Sequence, residues 1–421
     1  MKICIFGCGY LGLTIACGLS VFNHDIYCID KNDYRVKNLK LGIIDIYEPE
    51  IQEKLEENNK IRFYDTDNIE DGTDIFIIAV GTLEKESGEI DCGNIKQAIS
   101  TIISSISKYS VIVIKSTVPI GFCEQMYNEF KQKATSDFDI IYNPEFLSQG
   151  SAVSDFLNPH KILIGSTSQI ASQILKKLYK PFKAPIIETD LTTAELSKLA
   201  CDSFLATKIS FINEISNLAS KTKSDISKIQ QAMMLDKRIG SDFLSPCAGF
   251  GGNSLPKSLN LLIKKGEELK VGLNAAKASR ISNEQQKRQF ISNILKYYNY
   301  NIEAKVFCIW GLSFKKNTSD MRYSPSMMVA DTLSRYGATI RAYDPKAINN
   351  SIRQYKTKED AVLSSNALII LGDWDEFKNP DFRFISDNLK DKVIFDGRNL
   401  YLNDNLEEYG LRYYYIGNQN D

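Results

Sequence analysis

The first thirty residues leave this chain few ways to fold. A short β-rich apolar run, KICIF, leads into GCGYLG, then a helix-like stretch from Leu11 to Val21, then a second strand-like run, DIYCI, which ends against Asp30. Strand, glycine turn, helix and strand make a βαβ unit, and each glycine has its own mechanical duty. Gly7 permits the tight turn, Gly9 lets a ligand come against the backbone at the helix N-terminus, and Gly12 lets helix and strand pack closely. Unpaired N–H groups and the positive end of the helix dipole suit a pyrophosphate. Asp30, eighteen residues beyond Gly12, stands where a carboxylate accepts ribose hydroxyls. Together these features indicate a dinucleotide. A carboxylate there repels a 2′-phosphate, so NAD is expected over NADP, with Lys31 and Arg35 near enough in sequence to soften the repulsion.

The alternation continues. DIFIIAVG, SVIVIKST, FDIIYN and KILIG read as strands, separated by helical stretches such as IKQAISTIISSI, which implies a parallel, doubly wound sheet. Near Thr192 the period changes, and about thirty residues free of Gly and Pro read as one long helix, opened by Thr192 and Glu195 as a capping box. Helical segments run on to about Lys296, broken by the glycine-bearing stretch Ser245 to Pro256. From Lys305 strands and helices alternate again through KVFCIWGL, SPSMMVADTLSRYG, ATIRAYDP, ALIILGDW and KVIFDGR. The fold class is therefore α/β: two Rossmann-like doubly wound domains joined by a long central helix and a helical middle domain, with divisions at 1–192, 193–300 and 301–421. A length of 421 residues suits roughly three domains.

Charge and composition remove several alternatives. With 51 Lys+Arg against 52 Asp+Glu, no global field draws the chain to nucleic acid or an anionic membrane, so an anionic ligand must be met by local groups. No apolar run reaches the roughly 18 residues of a membrane span, and the first strand begins at Lys2, so the cytoplasm is the expected address. Nine scattered cysteines form no CxxC pair and read as reduced thiols. The two histidines, His24 and His160, fall in loops, which leaves no material for a histidine metal site or a Ser-His-Asp triad, and no metal is expected.

Three later motifs, Ala79 to Thr82, Lys115 to Pro119 and Tyr142 to Leu147, lie at the C-terminal ends of strands, where open α/β sheets hold ligands. Lys198 and Asp202 are four apart on the long helix and share a face, an arrangement equally suited to a plain salt bridge. Gly249, Gly251 and Gly252 stand beside Ser254 and Lys257, in a loop whose backbone a ligand could approach closely.

Taken in order, GCGYLG, IYEPE, AVGT, KSTVP, NPEFL, GSAVSDFLNP, ATKISFINE, GFGG, GLSFKKNTSDMRYSPS, YDPK and FDGRNLY span the chain, and the chain resembles the UDP-glucose 6-dehydrogenase family, which includes GDP-mannose and UDP-N-acetylmannosamine dehydrogenases. The resemblance implies an N-terminal NAD-binding domain, a long helix that packs a homodimer, and a C-terminal domain for the nucleotide diphosphate. It places Gly7, Gly9, Tyr10, Leu11, Gly12, Asp30, Arg35, Gly81, Thr82, Thr117 and Arg322 around NAD. It gives Glu145, Phe146, Leu147 and Gln149 to a sugar-binding loop, Glu145 aiding a final hydrolysis. Thr117 would orient a catalytic water and Lys198 would stabilise oxyanions. Asp202, Phe250, Gly251, Lys315 and Arg398 would line the substrate, and Arg238 would reach it across the dimer. A nucleoside-diphosphate sugar, a UDP-sugar by preference, is the implied substrate.

The departures from the family pattern lie at the chemistry. The family's loop reads GGSCFPKD or close to it, whereas this one reads GGNSLPKS, so the nucleophilic cysteine is Ser254 and the aspartate after the lysine is Ser258. Asp202 stands where asparagine is usual, and Gln149 where glutamate is usual. Serine is a poor substitute for a thiolate without a positioned base, so the expected reaction is one two-electron oxidation at the C6 carbinol, with Lys198, Glu145, Thr117, Asp202 and Ser254 as the catalytic set. Two alternatives differ in outcome: full four-electron oxidation to the uronate despite Ser254, and a catalytically weak homologue that binds NAD and a nucleotide sugar.

Overall fold

The computed structural model describes every residue except 58–59, 66–68, 85–89 and 419–421. The chain divides into two compact units, Met1–Cys201 with Asn260–Lys270, and Asp202–Leu259 with Val271–Asp421.

In the first unit eight strands form one sheet in the order Ile186–Thr189, Ile162–Gly165, Phe138–Tyr142, Ser110–Ile114, Ile75–Ile78, Lys2–Phe6, Asp25–Ile29, Arg62–Tyr64. Alternate residues of a strand point to opposite faces, so Ile3 and Ile5 enter one core with Leu13, Ile15 and Leu19, while Cys4 and Phe6 enter the other with Ile95, Ile99 and Ile102. With both faces covered, the central strands Lys2–Phe6, Ile75–Ile78 and Ser110–Ile114 are apolar at every position after the first, as suits a buried parallel sheet. Each fully buried Ile or Leu contributes about 1.5–3 kcal/mol. Ile162–Gly165 meets Phe138–Tyr142 antiparallel through the single pair Tyr142 and Gly165, so the sheet departs there from the all-parallel expectation.

The second unit carries six parallel strands in the order Arg353–Gln354, Thr339–Tyr343, Val306–Trp310, Ala367–Ile370, Val393–Asp396, Arg412–Tyr415. Numbered by position along each domain, both sheets begin 3-2-1-4-5-6, so each has a switch point between its first and fourth strands. Glycine closes both points. Gly7, at φ +98°, has Ala79 carbonyl oxygen 2.8 Å from where a Cβ would lie, and Gly311, at φ +92°, has the Gly372 nitrogen at 2.3 Å.

The long helix runs Leu191–Thr222. Its cap is Asp190, whose carboxylate accepts from Thr193 N at 2.8 Å and Thr193 Oγ1 at 2.6 Å. The expected capping box is therefore displaced, because Glu195 is buried and instead accepts from the amides of Gly121 and Cys123, at the start of helix Phe122–Lys131. Phe204, Phe211 and Leu218, spaced by seven, are 65%, 49% and 58% exposed along this helix. All nine cysteines are free, and only Cys201 is not buried. No helix among the described residues is long and apolar enough to cross a membrane.

Candidate functional site

The glycine turn of the first unit is shaped for a ligand. A Cβ on Gly12 would lie 1.7 Å from the Gly7 carbonyl oxygen, so turn and helix close only with glycine there, whereas nothing lies within 4 Å of a Cβ on Gly9. Helix Tyr10–Ser20 starts with no side chain capping its first amides, leaving those donors for an anion, and Tyr10 and Leu11 are its partly exposed first residues. Asp30 holds the turn through Cys8 N at 2.7 Å and its own loop through Asn32 N at 2.9 Å. Arg35 comes within 3.9 Å of Asp30, but its guanidinium is clamped by Asp45 at 2.7–3.1 Å, and Lys31 is drawn away to Asn94 Oδ1 at 2.8 Å. These groups fit a dinucleotide: open backbone for the pyrophosphate, a carboxylate beyond it, and neighbouring cations engaged elsewhere. Gly81 and Thr82 follow the adjacent strand Ile75–Ile78, Gly81 exposed with its carbonyl accepting from Asn94 Nδ2 at 3.1 Å and Thr82 buried.

Two strand ends further along, the same unit brings together Lys198, Glu145 and Phe146 of the expected site residues. Thr117 is buried at the end of its strand. Lys198, 2% exposed, places Nζ 3.1 Å from Glu145 Oε1 and 5.3 Å from the centre of the Phe146 ring, which Lys161 approaches from 4.2 Å. Lys198 thus pairs with a carboxylate 53 residues away in the chain. Burial pushes the Glu145 carboxyl up, but Lys198, the Leu147 amide at 2.6 Å and the charge of Lys115 outweigh it and hold the group below the usual carboxylate range. The loop Glu145 to Gly150 is shaped by carboxylates outside it: Asp155 accepts from Ser148 N at 2.9 Å, and buried Glu48 accepts from Gly150 N and Ala152 N at 2.8 Å. Gln149 Oε1 is buried within this loop without a hydrogen bond. Glu48 lies in IYEPE, which the sequence reading quoted without assigning a role, since nothing local signals a partner a hundred residues away.

In the second unit Ser254 is exposed as the first residue of helix Ser254–Glu268, and Ser258 lies one turn on, fully buried. Ser258 Oγ donates to Asp202 Oδ2 at 2.7 Å. Of this hydrogen-bonded pair, position 202 carries the carboxylate and position 258 the hydroxyl. Cys247, the nearest thiol in sequence, is buried and close to Asn213, whose Oδ1 accepts the Cys247 amide at 2.8 Å.

Phe250, Gly251, Lys315, Arg322 and Arg398 gather around the switch point of the second sheet. Asn283 grips Phe250 at both backbone atoms, at 2.8 and 3.1 Å, and Gly252 N donates to Arg322 O at 2.8 Å. Gly251 lies so close to the Tyr323 carbonyl that a Cβ would stand 2.7 Å from its oxygen, so its glycine character has an internal reason. Arg398 donates to the carbonyls of Leu371 and Phe314, and Ala248 N to Gly397 O, which ties the glycine loop to the strand end. Arg322 is paired with Asp320, and Lys315 is half-buried in the loop before it. Arg238 is 89% exposed at the side chain and bonded to Asp236. Asp344, at the end of the second strand, is consumed by five donors of its own loops, among them Leu312 N at 2.7 Å and Ala347 N at 2.7 Å. This sheet thus keeps the architecture of the first without its open glycine turn. Among the described residues no cluster of His, Cys, Asp and Glu could hold a metal ion.

Three family models match the chain: the UDP-glucose/GDP-mannose dehydrogenase family NAD binding domain over residues 1–183, its central domain over 192–285, and its UDP binding domain over 308–403. The chain is 36% identical to the UDP-glucose 6-dehydrogenase TuaD of Bacillus subtilis, covering 99% of this chain and 93% of that protein. A UDP-glucose 6-dehydrogenase of Rickettsia bellii is also 36% identical, with both chains covered in full. Among solved structures, a UDP-glucose dehydrogenase from Pyrobaculum islandicum superposes with a TM-score of 0.90 at 29% identity, covering 99% of this chain and 98% of that one.

Proposed function

Because the chain belongs to the UDP-glucose/GDP-mannose dehydrogenase family, and so is an NAD-dependent oxidoreductase acting on the CH–OH of a nucleotide sugar, we propose that it oxidises the C6 carbinol of an NDP-sugar, a UDP-sugar by preference, in one two-electron step. The observation that carries the single step is the helix start at 254: an exposed serine occupies the place where the resemblance puts a nucleophilic cysteine, and the nearby thiol of Cys247 is buried. A second oxidation by the family's route needs a thiolate to capture the aldehyde. A serine hydroxyl needs a base, and losing a covalent nucleophile can cost up to about 10⁶ in rate.

In this reading Gly7, Gly9, Gly12 and Asp30 hold NAD, with Tyr10, Leu11, Gly81, Thr82 and Thr117 around it and Arg35 behind Asp30. When bound, NAD accepts the hydride that leaves the carbinol carbon. Lys198, paired with Glu145 at 3.1 Å, stabilises the negative charge that grows on the carbinol oxygen. Phe146, Leu147 and Gln149 shape the sugar side of the loop, and Phe250, Gly251, Lys315, Arg322 and Arg398 serve the diphosphates through cations placed at a strand edge. The functional division is 1–192, 193–300 and 301–421, which the limits of the three matching family models support. The exposed Phe204, Phe211 and Leu218 support a two-fold homodimer through the long helix, and Arg238, whose side chain is highly exposed, then serves a partner's site.

Counting reduced cofactor against a panel of UDP-glucose, UDP-N-acetylmannosamine and GDP-mannose tests the proposal. One equivalent of NADH per sugar with a trappable carbonyl is expected. Two equivalents with a carboxylate product would overturn the single step, and binding without reduction would identify the catalytically weak homologue instead.

A further inference from the structure

The strand Ser110–Ile114 runs out into Lys115, Ser116 and Thr117. The amides of Lys115 and Ser116 both donate to Ile78 O, at 3.0 and 3.3 Å, and Ser116 Oγ donates to Val80 O at 2.7 Å. That pins this segment to the strand leading to Gly81 and Thr82. The Lys115 side chain turns inward, 5% exposed. Its Nζ donates to Asn143 Oδ1 at 3.1 Å and to Tyr179 OH at 3.4 Å, beneath the rings of Phe156 and Tyr179 at 6.0 and 5.8 Å. Tyr179 OH donates to the same Asn143 oxygen at 2.7 Å, and Asn143 Nδ2 donates to Leu163 O at 2.7 Å.

No carboxylate forms an ion pair with Lys115 among the described residues. Burying an ammonium without one costs several kcal/mol, and a methionine would fill the same space at no such cost. The fold retains the charge nonetheless, and the carboxylate that feels it is Glu145, two residues beyond Asn143. We infer that Lys115 is a positioning residue: a second buried cation that, with Lys198, keeps Glu145 ionised, and that holds through Asn143 the strand end from which Glu145 projects. The role given to Glu145 rests on the function proposed above.

The titration behaviour agrees with this geometry. Burial pushes Lys115 down to about 8, Glu145 draws it up and Lys198 presses it further down. Above that value the folded protein releases a proton that the unfolded chain keeps up to the ordinary lysine range, so the penalty is full below about pH 8 and relieved between about 8 and 10.5. The groups facing Lys115 are Glu145, Lys198, Tyr179 and Asn143.

The test is a thermal unfolding cycle with Lys115→Met, Glu145→Gln and the double variant, together with pH profiles of kcat/KM on whichever nucleotide sugar is oxidised. Lys115→Met should raise the melting midpoint at pH 7 by about 2 °C or more. That gain should shrink as pH rises from 8 to 10.5, and it should be larger in the Glu145→Gln background, where Lys115 has lost its attracting charge. The acid limb of kcat/KM should move up by about one pH unit in Lys115→Met. A lowered midpoint would show that the buried charge carries no net cost, and an equal gain in both backgrounds would show that Lys115 does not act on Glu145; either result would overturn the inference. If no nucleotide sugar is oxidised, the functional reading fails while the melting cycle still decides the role of Lys115.

Discussion

Ser258→Asp would set a second carboxylate against Asp202 in the second unit. In the native chain the serine hydroxyl donates to Asp202 Oδ2 at 2.7 Å, with Ser258 0% and Asp202 5% exposed. Two carboxylates about 4 Å apart repel by about 4 kcal/mol at an effective dielectric of about 20. The lost charge-assisted hydrogen bond adds about 1.5–3 kcal/mol. At roughly 2–4 °C per kcal/mol, repulsion alone should lower the melting midpoint by about 8–16 °C. Ser258→Asn controls for size, since it has the shape of aspartate without its charge. Adding Asp202→Asn to Ser258→Asp moves the single carboxylate across the hydrogen bond and should recover most of the loss. Calorimetry at pH 7 and pH 4 measures the series, and the Ser258→Asp deficit should narrow at the lower pH as the pair takes up a proton. If Ser258→Asp melts with Ser258→Asn, or if Asp202→Asn gives no rescue, the idea of a relocated carboxylate is wrong.

NAD should bind at least tenfold more tightly than NADP, about 1.4 kcal/mol or more, as calorimetry with both cofactors would show. Asp45→Ala should erode that preference by freeing Arg35 from its clamp, and equal affinities in the unaltered protein would refute the reading of Asp30. Light scattering at micromolar concentration should report a dimer, with Phe211→Asp shifting it toward the 47.6 kDa monomer, and a native protein already at 47.6 kDa would remove the proposed interface.

How much of this could be read in advance depended on the sequence distance of the partners. The turn at Gly7, Gly9 and Gly12 was legible because its constraints are local: a positive φ, an open approach and a close packing, each of which excludes a side chain. Runs such as ICIF and ALII announced themselves because burial on both faces leaves no polar position within them. Glu195 misled because a capping box is a local pattern, whereas its carboxylate serves a helix start 72 residues back. Glu48, Asp344 and Lys115 lay in motifs that the sequence displayed, but their partners carried no local signal, since each acts on backbone or side chains that only the fold brings near. The short edge strands Arg62–Tyr64, Arg353–Gln354 and Arg412–Tyr415 escaped because edges tolerate charge and broken alternation.

The two sheets share a strand order, yet only the first offers an uncapped helix start behind an open glycine turn, while Asp344 of the second is spent on its own loops. Among the described residues, one chain therefore offers one such glycine turn for a dinucleotide. Removing four electrons from a single sugar would require spent cofactor to depart and a fresh molecule to arrive while the half-oxidised sugar stayed in place. A covalent tether makes that wait harmless, but a merely hydrogen-bonded aldehyde leaves at its own rate. In this protein the product would then be decided by a race between cofactor turnover and aldehyde escape, and slow cofactor exchange would favour early release even where the chemistry of a second oxidation is open.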